Sequence, residues 1–229
     1  MIKEAIILAG GLGTRLRSVV ADVPKCMAPV KGKPFLAYII AYLEKQGIQR
    51  CIFSLGYKSE IITHYLDEHF TALEKVYVTE EEPLGTGGAI KAACKYVTGK
   101  NVLVFNGDTF FDIDLKKLSG FHQQHHAVCS LALKPMINFN RYGTVETNSD
   151  GSITAFREKQ FCESGLINGG IYALQASELL KASLPEKFSF EKDFLEVQTG
   201  SGKLFATTFD NYFIDIGIPE DYERANHEL

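Results

Sequence analysis

The chain of 229 residues carries a formal net charge of −4, and its 45% hydrophobic and 23% charged residues are typical of a globular protein. A net negative chain lacks the basic surface of a nucleic-acid binder, and no stretch approaches the about 18 apolar residues of a membrane span. Its five cysteines, an odd number with no CxxC pair, argue against a disulfide framework and a zinc site and predict a reducing, cytoplasmic location.

Short apolar runs alternate with longer amphipathic segments through the first half of the chain. The first run, at 5–9, is too short for a signal peptide and is followed by glycines, so we predict a buried strand. Repetition of strand and helix favours a parallel sheet covered on both faces. The predicted strands lie at 5–9, 51–55, 76–79 and 102–105, and the predicted helices at 34–45, 59–70 and 89–96.

The second half of the chain has a different pattern. Its β-like runs are predicted to add antiparallel strands beside the parallel sheet, with the residues at 148–151 forming a hairpin turn. We expect an α/β fold, a Rossmann-like mostly parallel sheet flanked by helices, in one domain over 1–229. The predicted strands lie at 128–133, 143–147, 153–156 and 168–174, and the predicted helices at 176–182 and 190–198.

The first predicted strand leads into the glycine-rich sequence AGGLGTRL at 9–16. Glycines directly after a buried strand let the backbone approach a ligand and point several N–H groups at phosphate oxygens. Two cations follow: Arg15 offers a planar fork, and Lys25 a compact point charge. The loop matches neither GxGxxG nor the GK[ST] ending, so the glycines alone would equally fit a structural turn. Together with the cations, they indicate phosphate binding.

Three aspartates follow the strand predicted at 102–105. Asp108 lies at the edge of the sheet where ligands bind in open α/β folds, although a turn or a helix cap would also explain it. Asp112 and Asp114 form a DxD pair, the metal motif of many glycosyltransferases. Asp114 precedes a helical stretch that starts at Leu115, so we favour N-capping over metal binding for this residue.

The segments LAGGLGTRL, PK, LGTGGA, NGD, EK, NGG and DIG follow one another from Ile6 to Pro219. In this order they resemble the sugar-1-phosphate nucleotidyltransferases. The resemblance implies the nucleotide-diphospho-sugar transferase fold, with a nucleotide-binding part at about 1–110 and a sugar-phosphate-binding part at about 111–229. It implies Mg²⁺ held by Asp108 and Asp215, and catalysis by Arg15 and Lys25. The nucleotide-binding residues it implies are Leu8, Ala9, Gly10, Gly11, Gly13, Thr14, Glu80, Pro83, Gly85, Thr86 and Gly88.

The base is predicted from Glu80. Pyrimidine-using members of the family have Gln at about this position, and an amide both accepts and donates. A carboxylate only accepts, which suits the adjacent N1–H and N2–H donors of guanine. We therefore expect GTP, while a solvated acidic run at 80–82 remains the alternative.

The sugar phosphate is expected to bind to the second half of the chain, through residues that match the family's sugar site. A heptose 1-phosphate is the first expectation, with mannose 1-phosphate or a CTP-, UTP- or dTTP-dependent reaction as alternatives. The oligomeric state is not predicted. The residues implied are Tyr142, Gly143, Glu158, Lys159, Asn168 and Gly169.

Two other sequence features and two rival functions are considered beside this interpretation. The HxxHH cluster at 122–126 has no acidic or cysteine partner at zinc-ligand spacing, so a solvated helix face is predicted. Cys26 stands where relatives have proline, which loosens the loop beside Lys25. A DxD glycosyltransferase and a non-catalytic nucleotide sensor remain rival functions, which pyrophosphate release distinguishes.

Overall fold

The computed structural model describes residues 1–11, 13, 16, 20 and 23–229. Among these residues, the 13 strands include seven that form the main sheet, in the order β12-β8-β11-β6-β1-β4-β5. The strands are β1 Glu4–Leu8, β2 Pro29–Val30, β3 Lys33–Pro34, β4 Arg50–Leu55, β5 Glu74–Thr79, β6 Asn101–Asn106, β7 Thr109–Phe111, β8 Cys129–Phe139, β9 Val145–Thr147, β10 Ile153–Phe156, β11 Cys162–Gln175, β12 Leu204–Thr208 and β13 Phe213–Asp215.

Helices connect these strands. A 3₁₀ turn at Lys25–Met27 precedes the first of them, and a π-helix at Phe190–Leu195 runs into a second 3₁₀ turn at Glu196–Gln198. The α-helices of the described residues are α1 Phe35–Lys45, α2 Ser59–His69, α3 Gly85–Cys94, α4 Leu115–Gln124, α5 Ala176–Lys181 and α6 Pro219–Glu228.

The main sheet is parallel except for one strand. β5, β4, β1 and β6 run in the same direction, and β8 and β12 are parallel to each other. β11 is antiparallel to both of its neighbours, β6 and β8, so it joins the two parts of the sheet. The expected mostly parallel sheet with added antiparallel strands is therefore confirmed, and β9 and β10 form the expected hairpin.

Both faces of the sheet are buried, which explains the continuous apolar runs of the central strands. Successive side chains of a strand point to opposite faces. Ile6 accordingly packs in one core cluster with Ile90 of α3, while Ile7 packs in the other with Phe35 of α1. Burial on two faces therefore replaces the alternating pattern of a half-exposed strand.

The boundaries differ from the predictions where tertiary contacts override local pattern. α3 begins at Gly85, four residues before the predicted start, although glycines are poor helix formers. Its first turn is held from outside the helix, because the N–H of Gly87 donates to the carbonyl of Phe188 at 3.0 Å. β8 and β11 continue beyond the sheet as a two-stranded arm, and β7, β12, β13 and α6 were not predicted.

Within the described residues, no helix has the length and the apolar composition that crossing a membrane would require. All five cysteines have free thiols, as the sequence predicted. Cys26 is buried in the 3₁₀ turn after Pro24, and burial together with the Asp108 charge raises the pKa of its thiol to about 12.

Candidate active site

The carboxyl ends of three adjacent parallel strands form the floor of the site. Leu8 at the end of β1 lies opposite Ser54 of β4 on one side and Asn106 of β6 on the other. In open α/β sheets, ligands bind outside these strand ends. A cavity of about 650 Å³ opens here, and all three residues line it.

Most of the residues predicted to bind nucleotide line this larger cavity. Among its described lining residues, the charged side chains are all carboxylates. A donor-rich, uncharged part of a ligand therefore fits better than a phosphate. The predicted residues in its wall are Leu8, Gly10, Gly11, Glu80, Pro83, Gly85 and Thr86, and the residues that sequence reasoning missed include Ser54, Tyr57, Asn106 and Glu191.

Glu80 is held by the protein rather than solvated. One carboxylate oxygen accepts a hydrogen bond from the hydroxyl of Ser54 at 3.0 Å, and the other accepts one from the N–H of Leu84 at 2.9 Å. The solvated alternative is thus wrong for this residue, while Glu81 and Glu82 are exposed along the cavity rim. The fixed carboxylate keeps further lone pairs for a ligand, since it has about four acceptor sites.

Gly85 and Gly88 show why this segment needs glycine, while the predicted nucleotide contact of Gly88 stays a prediction. Gly85 has a φ of +72°, and a Cβ there would lie 2.6 Å from the carbonyl oxygen of Phe188. Gly88 is buried, and a Cβ there would lie 2.3 Å from the carbonyl oxygen of Glu186. Gly88 is absent from the cavity wall, so its described role is packing of α3 against the chain near the π-helix.

A smaller cavity of about 190 Å³ adjoins the larger one and shares Leu8, Gly11 and Asp108 with it. Gly13 lines it with a φ of +56°, and a Cβ there would lie 2.7 Å from that of Lys25. Ala9, Lys25, Cys26, Gly107 and Gly217 complete the wall among the described residues. Thr14 and Arg15 lie outside the described residues, so their predicted roles stay predictions.

Lys25 lies between two carboxylates at this cavity. Its ammonium is 2.5 Å from Asp108 and 3.7 Å from Asp215, and its side chain is only 12% exposed. Asp108 follows β6 directly, whereas Asp215 arrives from much later in the chain. β13 pairs antiparallel with β7, which places Asp215 opposite Thr109, and the N–H of Ile216 donates to the carbonyl of Asp108 at 3.0 Å.

The two carboxylates leave a surplus of negative charge that Lys25 does not cancel. Burial, and then the nearby charge of Asp108, raise the pKa of the Asp215 carboxyl, although Lys25 and the N–H of Gly217 act in the opposite direction. Burial removes water from the ionised carboxyl, and the like charge of Asp108 adds to the cost of ionisation. A further cation that prefers oxygen ligands would therefore balance the remaining negative charge of the site.

Tyr142 extends this network towards the second half of the chain. Its hydroxyl donates to Asp215 at 3.3 Å and accepts from the guanidinium of Arg141 at 3.0 Å. Arg141 in turn forms an ion pair with Asp221 of α6. Burial, followed by the Asp215 charge, raises the pKa of Tyr142 to about 12, so the phenol stays a donor at neutral pH. Arg141 was not found by sequence reasoning.

None of the residues predicted to bind the sugar phosphate, Tyr142 included, lines either cavity. Asn168 is half-buried, and its side chain donates to the Tyr172 hydroxyl at 2.7 Å and accepts from the N–H of Gly170 at 3.0 Å. Glu158 and Lys159 are exposed in the connection between β10 and β11.

Two glycines on this side are enclosed by close backbone or ring contacts. A Cβ at Gly143 would lie 2.2 Å from the carbonyl oxygen of Arg157. A Cβ at Gly169 would lie 2.5 Å from the ring of Phe111. Both positions therefore require glycine for packing.

The DxD pair and the histidine cluster, two alternative metal motifs of the sequence, each contain a residue with a structural role. Asp114 caps α4, because its carboxylate accepts from the N–H groups of Lys116 at 2.8 Å and Lys117 at 3.0 Å, as predicted. The solvated histidine face is wrong for His122. This residue is 1% exposed and its Nδ1 lies 3.0 Å from the Ser130 hydroxyl.

Across residues 1–11, 13, 16, 20 and 23–229, no group of three or more histidine, cysteine or acidic side chains has the arrangement of a metal site. Asp108 and Asp215 are only two carboxylates, so this pair is not counted among groups of three or more.

The sheet, the glycine loop at its edge and the carboxylate pair beside Lys25 are the arrangement of a nucleotidyl transferase. The family model for nucleotidyl transferases matches residues 4–229, and the chain belongs to this family. It is 52% identical over 226 residues to the D-glycero-alpha-D-manno-heptose 1-phosphate guanylyltransferase of Aneurinibacillus thermoaerophilus, covering 99% of this chain and 98% of the relative. The enzyme of the same description from Campylobacter jejuni is 51% identical, with 96% of each chain covered.

Solved structures show the same fold. The crystal structure of HddC from Yersinia pseudotuberculosis in complex with GMP-PN is 40% identical, covers 99% of both chains and has a TM-score of 0.89. A Bacillus anthracis structure described as a putative glucose-1-phosphate thymidylyltransferase is 19% identical, with a TM-score of 0.80, and supports the fold alone.

Proposed function

We propose that the protein transfers GMP from GTP to a sugar 1-phosphate, D-glycero-alpha-D-manno-heptose 1-phosphate first among the candidates, giving the GDP-sugar and pyrophosphate. The observation that carries the proposal is Lys25, in the wall of the smaller cavity, held between Asp215 and Asp108, which lines both cavities. The names of the relatives from Aneurinibacillus and Campylobacter support the same reaction.

The charges of the two cavities support an orientation for GTP. The larger cavity has carboxylates as its charged described side chains and suits guanine and ribose, which donate hydrogen bonds. The smaller cavity contains the Lys25 ammonium and the backbone of the glycine loop, and suits the phosphates. Glu80 would accept from the N1–H and N2–H of guanine, because its position beside Ser54 is fixed before the ligand binds.

The reaction needs charge neutralisation more than proton transfer. An oxygen of the sugar 1-phosphate attacks the α-phosphorus of GTP, the bond to the bridging oxygen of the β-phosphate breaks, and pyrophosphate leaves with the electron pair. The nucleophile is already an anion, so no general base is required. Lys25 and, by the family match, Arg15 and Lys159 would position the phosphates and stabilise the transferred charge.

Mg²⁺ fits the carboxylate pair. Asp108 and Asp215 would hold it, and their surplus negative charge and oxygen donors are what this ion prefers. When bound, it supplies positive charge to phosphate oxygens.

The remaining expectations are part of the same proposal. The sugar phosphate would bind over Tyr142, Asn168 and the loop that carries Glu158 and Lys159. One sheet joins the two halves through β11, which supports a single domain over 1–229. Free cysteines support a cytoplasmic location.

Pyrophosphate release with Mg²⁺ tests the proposal, with GTP, ATP, CTP and UTP each combined with heptose, mannose and glucose 1-phosphates. Release confined to GTP with the heptose is expected. Release with another pair would contradict the specificity but keep the mechanism. A folded sample that releases none from any pair would favour a nucleotide sensor, since Asp114, the alternative DxD ligand, is engaged as a helix cap.

A further inference from the structure

Glu191 is a half-buried carboxylate in the wall of the larger cavity that neither the sequence motifs nor the mechanism above uses. It is the second residue of the π-helix at Phe190–Leu195. π-Helices are rare and are often found at functional sites. The residue thus combines an unusual backbone setting with access to the ligand cavity.

Three neutral hydroxyl groups hold this carboxylate in place. Thr86 donates to Oε2 at 2.9 Å, Ser189 donates to Oε2 at 3.2 Å, and Tyr172 donates to Oε1 at 3.3 Å. No lysine or arginine forms an ion pair with it among the residues that the structure describes. A carboxylate has about four acceptor sites, so three donors leave one, on Oε1, for a ligand in the cavity.

The charge of the cavity limits which ligand group can use that site. Glu80, Glu81, Glu82 and Asp108 line the same cavity, so a phosphate would meet like charges there. A hydroxyl donates without carrying charge, and a donor that meets an ionised acceptor forms a strong hydrogen bond.

Glu191 also lies where the nucleotide side meets the sugar side. Thr86 belongs to the first turn of α3, in the predicted nucleotide segment. Tyr172 of β11 accepts from Asn168, the residue predicted to contact the sugar, at 2.7 Å, and donates to Glu191. A chain of hydrogen bonds through the Glu191 carboxylate therefore connects the predicted nucleotide segment with the residue predicted to contact the sugar.

We propose that Glu191 binds a hydroxyl group of the substrates where the two halves of the site meet, and so contributes to their recognition. The inference rests on the proposed nucleotidyl transfer for its substrates. The hydroxyl can come from the ribose of the nucleotide or from the ring of the sugar phosphate, and both offer the same chemistry to the carboxylate.

The test compares Glu191→Gln with substrates that lack single hydroxyls. Wild-type protein and variant are assayed for pyrophosphate release with GTP, 2′-deoxy-GTP and 3′-deoxy-GTP, and with monodeoxy analogues of the sugar 1-phosphate that the wild type uses. The variant is expected to lose about 10- to 100-fold in kcat/KM with the complete substrates. With the analogue that lacks the bound hydroxyl, wild type and variant should converge, because the two deletions remove one interaction.

The pattern identifies the source or overturns the inference. Convergence on a deoxynucleotide assigns the ribose, and convergence on a deoxy sugar phosphate assigns the sugar ring. An equal loss with every substrate, or no loss at all, would mean that Glu191 only supports the fold. Glu196→Gln, at an exposed carboxylate in the next turn, is the matched control and should behave as wild type.

A binding measurement and a second variant make the test independent of turnover and of the folding of Glu191→Gln. The same comparison by calorimetric binding of each nucleotide and sugar phosphate needs no turnover, so absence of pyrophosphate release would count against the proposed function alone. If the Gln variant does not fold, Glu191→Asp keeps the charge but shortens the reach, and the same convergence is expected.

Discussion

The proposed nucleotide side and the proposed sugar side of the site are built differently. Two cavities on the nucleotide side are enclosed by strand ends, glycine backbone and buried side chains, and Lys25 and Glu80 are already held by protein partners. On the sugar side, Glu158 and Lys159 are exposed on a connection between strands. The proposed nucleotide side is therefore held in place before a ligand binds, whereas Glu158 and Lys159 of the proposed sugar side lie on an exposed connection. We expect changes on the two sides to have separable effects.

The largest effect is expected from the charges where the cavities meet. Lys25→Ala and Asp108→Ala should each lower kcat about 10²- to 10³-fold. Lys25→Ala removes a cation that neutralises charge in the transition state, and Asp108→Ala removes a proposed ligand of the Mg²⁺ that would supply further positive charge. Arg15→Ala is expected to do the same. Pyrophosphate release measures the loss, and Asp112→Ala, four residues past Asp108, is the control. Near-normal turnover by any one of the three variants would refute its role.

The next effect concerns the stability of the protein in acid, which the buried His122 should reduce. Burial, and then the Lys100 charge, lower the pKa of His122 from 6.5 to about 4. The unfolded chain therefore binds this proton first as pH falls, and stability drops between about pH 6.5 and 4, by up to about 3 kcal/mol.

Urea unfolding of wild type and His122→Gln at pH 7 and pH 4 measures this loss of stability. The variant should lose less stability on acidification, since Gln does not titrate. A single transition seen by every probe is expected, because β11 joins the two sides in one sheet. Separate transitions would show that the sides are independent units.

An intermediate effect is expected at the base. Glu80→Gln should reduce kcat/KM for GTP about 10- to 100-fold, because an amide cannot accept from both guanine donors. The reduction in kcat/KM for UTP should be smaller, so the preference of the enzyme for GTP over UTP should decrease. Glu82→Gln, at the exposed rim of the same cavity, serves as control. An unchanged ratio of GTP to UTP activity would remove Glu80 from base recognition.

The smallest effect is expected on the proposed sugar side, at Lys159. Lys159→Ala should raise the KM for the sugar 1-phosphate about tenfold through loss of one charged hydrogen bond, while the Kd for GTP stays the same. Steady-state kinetics and calorimetric GTP binding measure the two quantities. Lys187→Ala, at another exposed lysine, is the control. Weaker GTP binding in Lys159→Ala would contradict the separation of the two sides.

The sequence predicted the parts of the molecule that local pattern determines. The buried strands, α1, α2 and the glycine segments are encoded in runs of neighbouring residues, and Asp114 is placed by its own helix. Ser54 and Asn106 could have been found as polar residues near the carboxyl ends of predicted strands, Ser54 one residue before the end and Asn106 directly after it.

Residues brought in by long-range pairing could not be placed in this way. Asp215 reaches Asp108 only through the ribbon of β7 and β13, and neither strand was predicted. Glu191 reaches Thr86 across more than one hundred residues of chain. His122 was misjudged because its partner, Ser130, belongs to the next strand, and burial depends on how α4 packs on β8.

The ribbon of β7 and β13 also has a consequence for the newly made chain. A ribosome synthesises Asp108 long before Asp215, so Lys25 and Asp108 can meet while the second carboxylate has not yet been translated. The nascent polypeptide therefore has the glycine loop and half of the carboxylate pair, and it gains the other half only when β13 emerges and pairs with β7. Any activity that depends on both carboxylates is thereby confined to chains that have been translated past Asp215.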